Sequence, residues 1–258
     1  VGGSGMRYRL LDTMRAYALE KLKASGELAH VARRHAEHFR HVFARAEIEW
    51  ETQPAAEWLA AYGSELDNVR AALDWALSPA GDASIGIALT TSAIPLWRHR
   101  SLMEECRTRV DQALSRLATP AAGHRRREMQ LLDARSAVLL MTNGPDQDQE
   151  AGWTRALAIA EQLGDVDYRL RALWGLSVIR FTNGDYRTAL AFNTRLCAVA
   201  AHSADPSDLV IGERMSAISM HVLGDQAGAR HHFERVLERA IAPVRRSHMI
   251  RFQFDHEM

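Results

Sequence analysis

Three glycines set the terms for this chain. Gly144, Gly184 and Gly224 stand forty residues apart, and related phrases surround them: MTNGPD (141–146), FTNGDYRTALAF (181–192) and VLGDQAGARHHF (222–233). Around these glycines the apolar residues fall into two alternating phases. EMQLLDARSAVLLMTNG, YRLRALWGLSVIRFTNG and LVIGERMSAISMHVLGD occupy one; TRALAIAEQLGD, ALAFNTRLCAVAAHSAD and ARHHFERVLERA occupy the other. Each unit therefore reads as a helix, a tight turn at glycine and a second helix. Gly184 and Gly224 can take the positive φ that ends the first helix, and Asp185 or Asp225 can cap the next. A two-helix hairpin cannot bury its apolar face alone, so neighbouring hairpins must stack into an all-α, α-α superhelix of antiparallel pairs.

The rest of the chain is helical by the same reasoning. Apolar residues recur at i, i+3, i+4 and i+7 in almost every window, and alternation of period two is nearly absent. Leu11, Met14, Ala18 and Leu22 form one stripe, with Lys21 and Lys23 near its C-terminal end and Gly26 where a left-handed cap belongs. Further helices are expected over 27–50 and 55–77, until Pro79-Ala80-Gly81 breaks the pattern. Asp82 can cap a fourth helix, and Thr119-Pro120 closes the fifth. The most apolar run, IGIALTTSAIPLW (85–97), is too short to span a bilayer and reads as a buried helix that kinks or stops at Pro95.

ALWGLSVIRFTNGDYRTALAFNTRLCAVA (172–200) resembles the tetratricopeptide repeat. Leu176 falls at that family's first-helix leucine, Ser177 at the small residue beside it, Gly184-Asp185-Tyr186 at the turn, and Ala189 at the small residue of the second helix. The next unit supplies Ala217, Gly224, Ala229 and Phe233. Arg180 stands where an aromatic is usual, no proline closes the unit, and the period is forty rather than about thirty-four. The resemblance thus implies a TPR-like array with longer helices.

RYRLLDTMRAYALEKL, VARRHAEHF and ELDNVRAALDWAL, in that order over residues 6–118, resemble the segment that follows the nucleotide-binding core in bacterial STAND-type transcriptional regulators. Those are NB-ARC-like ATPases with a DNA-binding domain at one end and a helical sensor array at the other. The resemblance makes 1–25 the tail of a winged-helix segment and a first helix, 26–120 a helical linker region, and 121–258 the repeat array, cut short at IRFQFDHEM. It also sets Leu10-Leu11-Asp12 at the family's Met-His-Asp motif. Leu11 replaces the ADP-contacting histidine, so nucleotide sensing through that position does not carry over.

The sequence also narrows the chemistry. Lys+Arg and Asp+Glu both number 32, so no global charge draws the chain to nucleic acid or anionic lipid, which speaks against RNA binding by its arginine-rich helices. GxxxxGK[ST] is absent, as are GxSxG, SxxK, HExxH and a basic helix-turn-helix, so no enzyme, cofactor site or direct nucleic-acid binding is expected. Cys106 and Cys197 match no metal or redox spacing, and VGGSGMRYRL lacks a secretory pattern, which together suit a cytoplasmic setting without membrane attachment. His35 and His41 lie some 120° apart round a helix, which is poor for a shared metal ion. HRRRE (124–128) could touch phosphate, though a solvated helix start is the plainer reading. Trp50, Trp58, Trp75, Trp97 and Trp153 sit on apolar stripes and belong to the core.

In the TPR-like register, Arg171, Trp174, Val178 and Phe181 face the concave groove. Their equivalents forty residues on are Ile211, Arg214, Ile218 and His221, and forty back Leu131, Ala134, Val138 and Met141. The groove candidates are Arg171, Trp174, Val178, Phe181, Arg214, Ile218 and His221. An aromatic beside arginines can anchor a protein partner or small effector; equally, the next repeat can cover it. The expected role is a non-catalytic sensor and interaction module of an ATP-dependent regulator, with ATPase and DNA-binding domains upstream. The alternative is a free-standing TPR-like adaptor or scaffold.

Overall fold

In the computed structural model the described residues are 11–50, 52–117, 124–144 and 146–239. They form twelve α-helices and no strand: α1 (Asp12–Ala24), α2 (Leu28–Glu49), α3 (Ala55–Tyr62), α4 (Leu66–Ala76), α5 (Ala83–His99), α6 (Met103–Arg116), α7 (Arg125–Asn143), α8 (Gln147–Leu163), α9 (Val166–Thr182), α10 (Tyr186–Ala200), α11 (Ser207–Val222) and α12 (Gln226–Arg239). From α5 onward each helix packs on the next. The tight turns within the hairpins make their two helices antiparallel. The all-α superhelix expected from the forty-residue period is the architecture observed. Residues 1–10 of the expected winged-helix tail, the Thr119-Pro120 stop and IRFQFDHEM lie outside the described residues.

Local chemistry places the hairpin ends. Gly184 and Gly224 have φ of 81° and 88°, and Asp185 and Asp225 accept from the backbone N–H of Thr188 at 3.2 Å and Gly228 at 2.9 Å. Asp82, Asp146 and Asp165 cap α5, α8 and α9 in the same way. Each such cap is worth about 1 kcal/mol. Between the helices of a hairpin the expected small residues are buried: Ser177 against Ala189, whose carbonyl its hydroxyl meets at 3.4 Å, and Ala217 and Ala229 on α11 and α12.

One expectation fails for a visible reason, and another is narrowed. The single helix expected over 55–77 is broken by a 3-10 turn at Gly63–Glu65. The buried Gly63 carbonyl accepts from Arg100 Nη2 at 3.0 Å, and a Cβ at Gly63 would stand 2.9 Å from that nitrogen. At Pro95, where a kink or a stop was expected, α5 does not stop but continues to His99. A proline inside a helix costs about 3 kcal/mol. Fully burying Leu96 and Trp97 just beyond it offsets that cost, since deleting such side chains typically loses about 2–5 kcal/mol each.

The core has two main parts that meet at α7. Phe43, Trp58, Leu73, Leu89 and Trp97 of α2–α5 pack in one, which takes in Leu131, Ala134 and Val138 of α7. Ala137 of α7 belongs to the other, with Trp153, Leu173, Leu196 and Ile211. Trp50, Trp58, Trp97 and Trp153 are buried as expected, while Trp75 is half-buried.

The array also has an inner and an outer side. Besides pairing with their neighbours, α5, α7, α9 and α11 touch one another in succession, whereas α6, α8, α10 and α12 make no comparable contacts among themselves. A stack whose one layer closes up while the other spreads is curved, with the odd-numbered helices inside.

Candidate functional site: the inner face of the array

The groove candidates ride on two inner helices. Arg171, Trp174, Val178 and Phe181 follow one another at helical spacing along α9, and Arg214, Ile218 and His221 do so along α11. Val178, Phe181 and Ile218 are half-buried, and His221 is exposed. Phe181 and His221 turn to their own hairpins: the Phe181 ring lies 5.0 Å from that of Tyr186, and His221 Nδ1 meets Gln226 Oε1 at 2.8 Å. Arg214 is half-buried, and desolvation lowers its pKa. Trp174 corrects the expected picture. It is 4% exposed and packs edge-on to Trp153 of α8, ring centres 6.5 Å apart, so it builds the wall of the array and does not stand open as an anchor.

Arg171 leads to a polar cluster that the sequence reading missed. Its Nη2 lies 2.9 Å and its Nη1 3.8 Å from carboxylate oxygens of Asp167 and Asp133 respectively. The guanidinium sits 4.7 Å over the Tyr168 ring, a cation–π contact that fixes its plane. Asp133, on α7, accepts from Trp153 Nε1 at 3.0 Å. The Arg171 and Asp133 side chains are 14% and 11% exposed, so these charges are hemmed in yet still reach solvent. Burial works against the Arg171 charge, but Asp167, Tyr168 and Asp133 outweigh it and hold the pKa above the ordinary value. Burial pushes the Asp133 carboxyl up, against the pull of Arg171, Trp153 and Arg98.

Arg98, near the end of α5, is half-buried. It senses the charges of Asp133 and Arg171, while burial depresses its pKa. Alongside, Glu47 of α2 accepts from Ser92 of α5 at 2.7 Å and lies 3.8 Å from Arg127 of α7. Polar contacts thus tie α2 to α5 and α7, and α9 to α7. The signal in the sequence was Asp133 inside the apolar run QLLDARSAVLL, a carboxylate where the pattern calls for an aliphatic residue.

The basic run at the start of α7 is spent on structure. Arg125 donates to Gln162 at 2.7 Å, Arg126 lies 2.9 Å from Asp165, Arg127 donates to Gln130 at 3.2 Å, and Glu128 accepts from Arg155 at 3.1 Å. His35 stacks on Phe39, ring centres 4.8 Å apart, and His41 Nδ1 meets the Glu37 carbonyl at 2.7 Å. Among the described residues no helix is long and apolar enough to cross a membrane.

No family model matches the chain. Over 174 residues, 65% of its length, it is 33% identical to proteins of Mycobacterium bovis and Mycobacterium tuberculosis that carry the provisional name HTH-type transcriptional regulator. The match covers 19% of those proteins, so the chain spans about a fifth of the relatives it resembles. Over that stretch it is similar to these provisionally named transcriptional regulators.

Proposed function

We propose that this chain is a non-catalytic sensor and protein-interaction module of an ATP-dependent bacterial transcriptional regulator acting in the cytoplasm. The observation that carries this reading is the 33% identity to mycobacterial transcriptional regulators, found in a chain built as a curved stack of helical hairpins. Such stacks offer extended concave surfaces for partners. The relatives are about five times longer than the matched stretch, which leaves room for ATPase and DNA-binding domains on the same polypeptide. The STAND-like sequence blocks at the N-terminal end support that order of parts.

In this reading a protein partner or small effector binds along the inner face of α7, α9 and α11 and changes how the array restrains the ATPase. Because α7 belongs to both parts of the core, a ligand that shifts α9 against α7 reaches the α2–α6 block through packed side chains. The chain carries no phosphate-binding GxxxxGK[ST], so nucleotide chemistry belongs elsewhere. The purified chain is expected neither to bind nor to hydrolyse ATP in an equilibrium-binding and phosphate-release assay. Measurable turnover overturns the non-catalytic assignment.

A further inference from the structure

We infer that the cleft between α4 and α6 binds a small aliphatic α-amino acid, with its carboxylate on Arg116 and its ammonium on Asp74. The two helices both pack on α5. Three bridges cross between them: Arg70 to Glu105 at 2.6 Å, Arg109 to Asp74 at 2.6 Å, and Arg116 Nε to the Leu77 carbonyl at 3.0 Å. The partners advance together along both helices, so α4 and α6 run parallel. Between the last two bridges a cavity of about 260 Å³ remains open. That is just below the range of about 300–1,000 Å³ that holds drug-sized molecules, so it fits a smaller one.

The cleft makes two opposite demands. Arg116 is half-buried, and among the described residues its one bond is from Nε, which leaves both Nη nitrogens without an acceptor. Gln112, one turn before it on the same face of α6, spends Oε1 on Arg109 and keeps its amide donor. These donors call for a carboxylate, whose two oxygens match the planar guanidinium fork. Asp74 gives one oxygen to Arg109, and among the described residues the other has no partner. Ser78 and Ser115 donate their hydroxyl hydrogens to the carbonyls of Trp75 and Gln112, both at 2.7 Å, so only lone pairs remain on them. These acceptors call for a cation with N–H donors. Asp74 and Leu77, whose carbonyl holds Arg116, are three residues apart, about 4.5 Å along the helix axis, a span suited to an acid and an amine on one carbon. An anion alone would face Asp74, and a cation alone would face Arg116. Leu73 and Leu77 add apolar lining for an aliphatic side chain. The lining residues belong to α4, the turn after it and α6, so the site is separate from the inner face of α7, α9 and α11. It reaches the array through α6, which packs on α7.

Calorimetric titration of the 258-residue chain with L-alanine and with L-leucine tests this. At least one is expected to bind. Its half-analogues, propionate and ethylamine for alanine or isocaproate and isoamylamine for leucine, should each bind about tenfold more weakly or worse, since each lacks one charge-assisted contact. Asp74→Asn and Arg116→Gln should weaken amino-acid binding by about the same factor, and Arg116→Lys by less, since it keeps the charge and loses the fork. The Asp74 side chain is 64% exposed and such a pair adds little to stability, so Asp74→Asn should keep the wild-type circular dichroism and melting temperature, which separates lost binding from lost structure. No binding of either amino acid at tens of millimolar, a half-analogue that matches its amino acid, or wild-type affinity in Asp74→Asn or Arg116→Gln overturns the inference. Each of these results leaves the reading of the inner face intact.

Discussion

Gly175 and Gly184 are nine residues apart and are glycine for different reasons. Gly184 has φ of 81° and nothing within 4 Å of where a Cβ would go, so its requirement is backbone conformation alone. Gly184→Ala should cost about 1–2 kcal/mol in urea unfolding. A Cβ on Gly175 would stand 2.4 Å from the Trp153 indole, so Gly175→Ala should cost about 1–3 kcal/mol by overpacking, despite alanine's better helix propensity. Equal stability of Gly175→Ala and wild type would show that α8 and α9 are not so closely apposed. Glu105 gives a residue-scale test in pH. Arg70 donates to both its oxygens, at 2.8 and 2.6 Å, and holds its pKa below the ordinary 4.5. The folded pKa is depressed, so the stabilisation is present above about pH 4.5 and lost as pH falls through the folded value. Glu105→Gln should therefore lower the melting temperature at pH 7, by an amount equivalent to about 1 kcal/mol or less, with the gap closing towards pH 3. A gap that is unchanged across that range contradicts the assignment.

At the scale of the helix, what could be read from sequence was local and what could not was relational. Periodicity, the glycine turns and the aspartate caps are set by neighbours a few residues apart, so the hairpins at Gly184 and Gly224 were legible. The break at Gly63 was not, because it depends on Arg100, which approaches from α5's far end. Nor was the pairing of Asp133 with Arg171 and Trp153, since no register states how closely α7, α8 and α9 converge. Repeat position alone puts Trp174 in the groove, but the side chain is buried and packs edge-on to Trp153 of the neighbouring helix. The α11–α12 pair shows the same dependence. Glu213 is 2% exposed and faces Arg235 at 2.6 Å, Arg239 at 3.6 Å and His232, while Ala229 is the one fully buried residue of α12. Charge, more than apolar burial, seats this helix. Glu213→Ala is expected to speed amide exchange throughout α12 by about ten- to a hundredfold and leave α2–α6 protected as before, since the lost bonds are worth about 1.5–3 kcal/mol. Unchanged exchange in α12 would return its stability to apolar contacts.

For the whole molecule, the proposed function requires the curved inner layer to be the working surface and the outer layer a support. Val178 and Ile218 lie on the inner helices α9 and α11, whereas Ala158 and Thr194 are exposed on α8 and α10. The Arg171–Asp133 pair joins α9 to α7, the helix shared by the two parts of the core. The most direct measurement is site-specific photo-cross-linking from these four positions in cells that express the full-length regulator under inducing conditions. A discrete product from Val178 and Ile218, absent from Ala158 and Thr194, is the predicted result. The same product from the outer positions, with none from the inner ones, would contradict it.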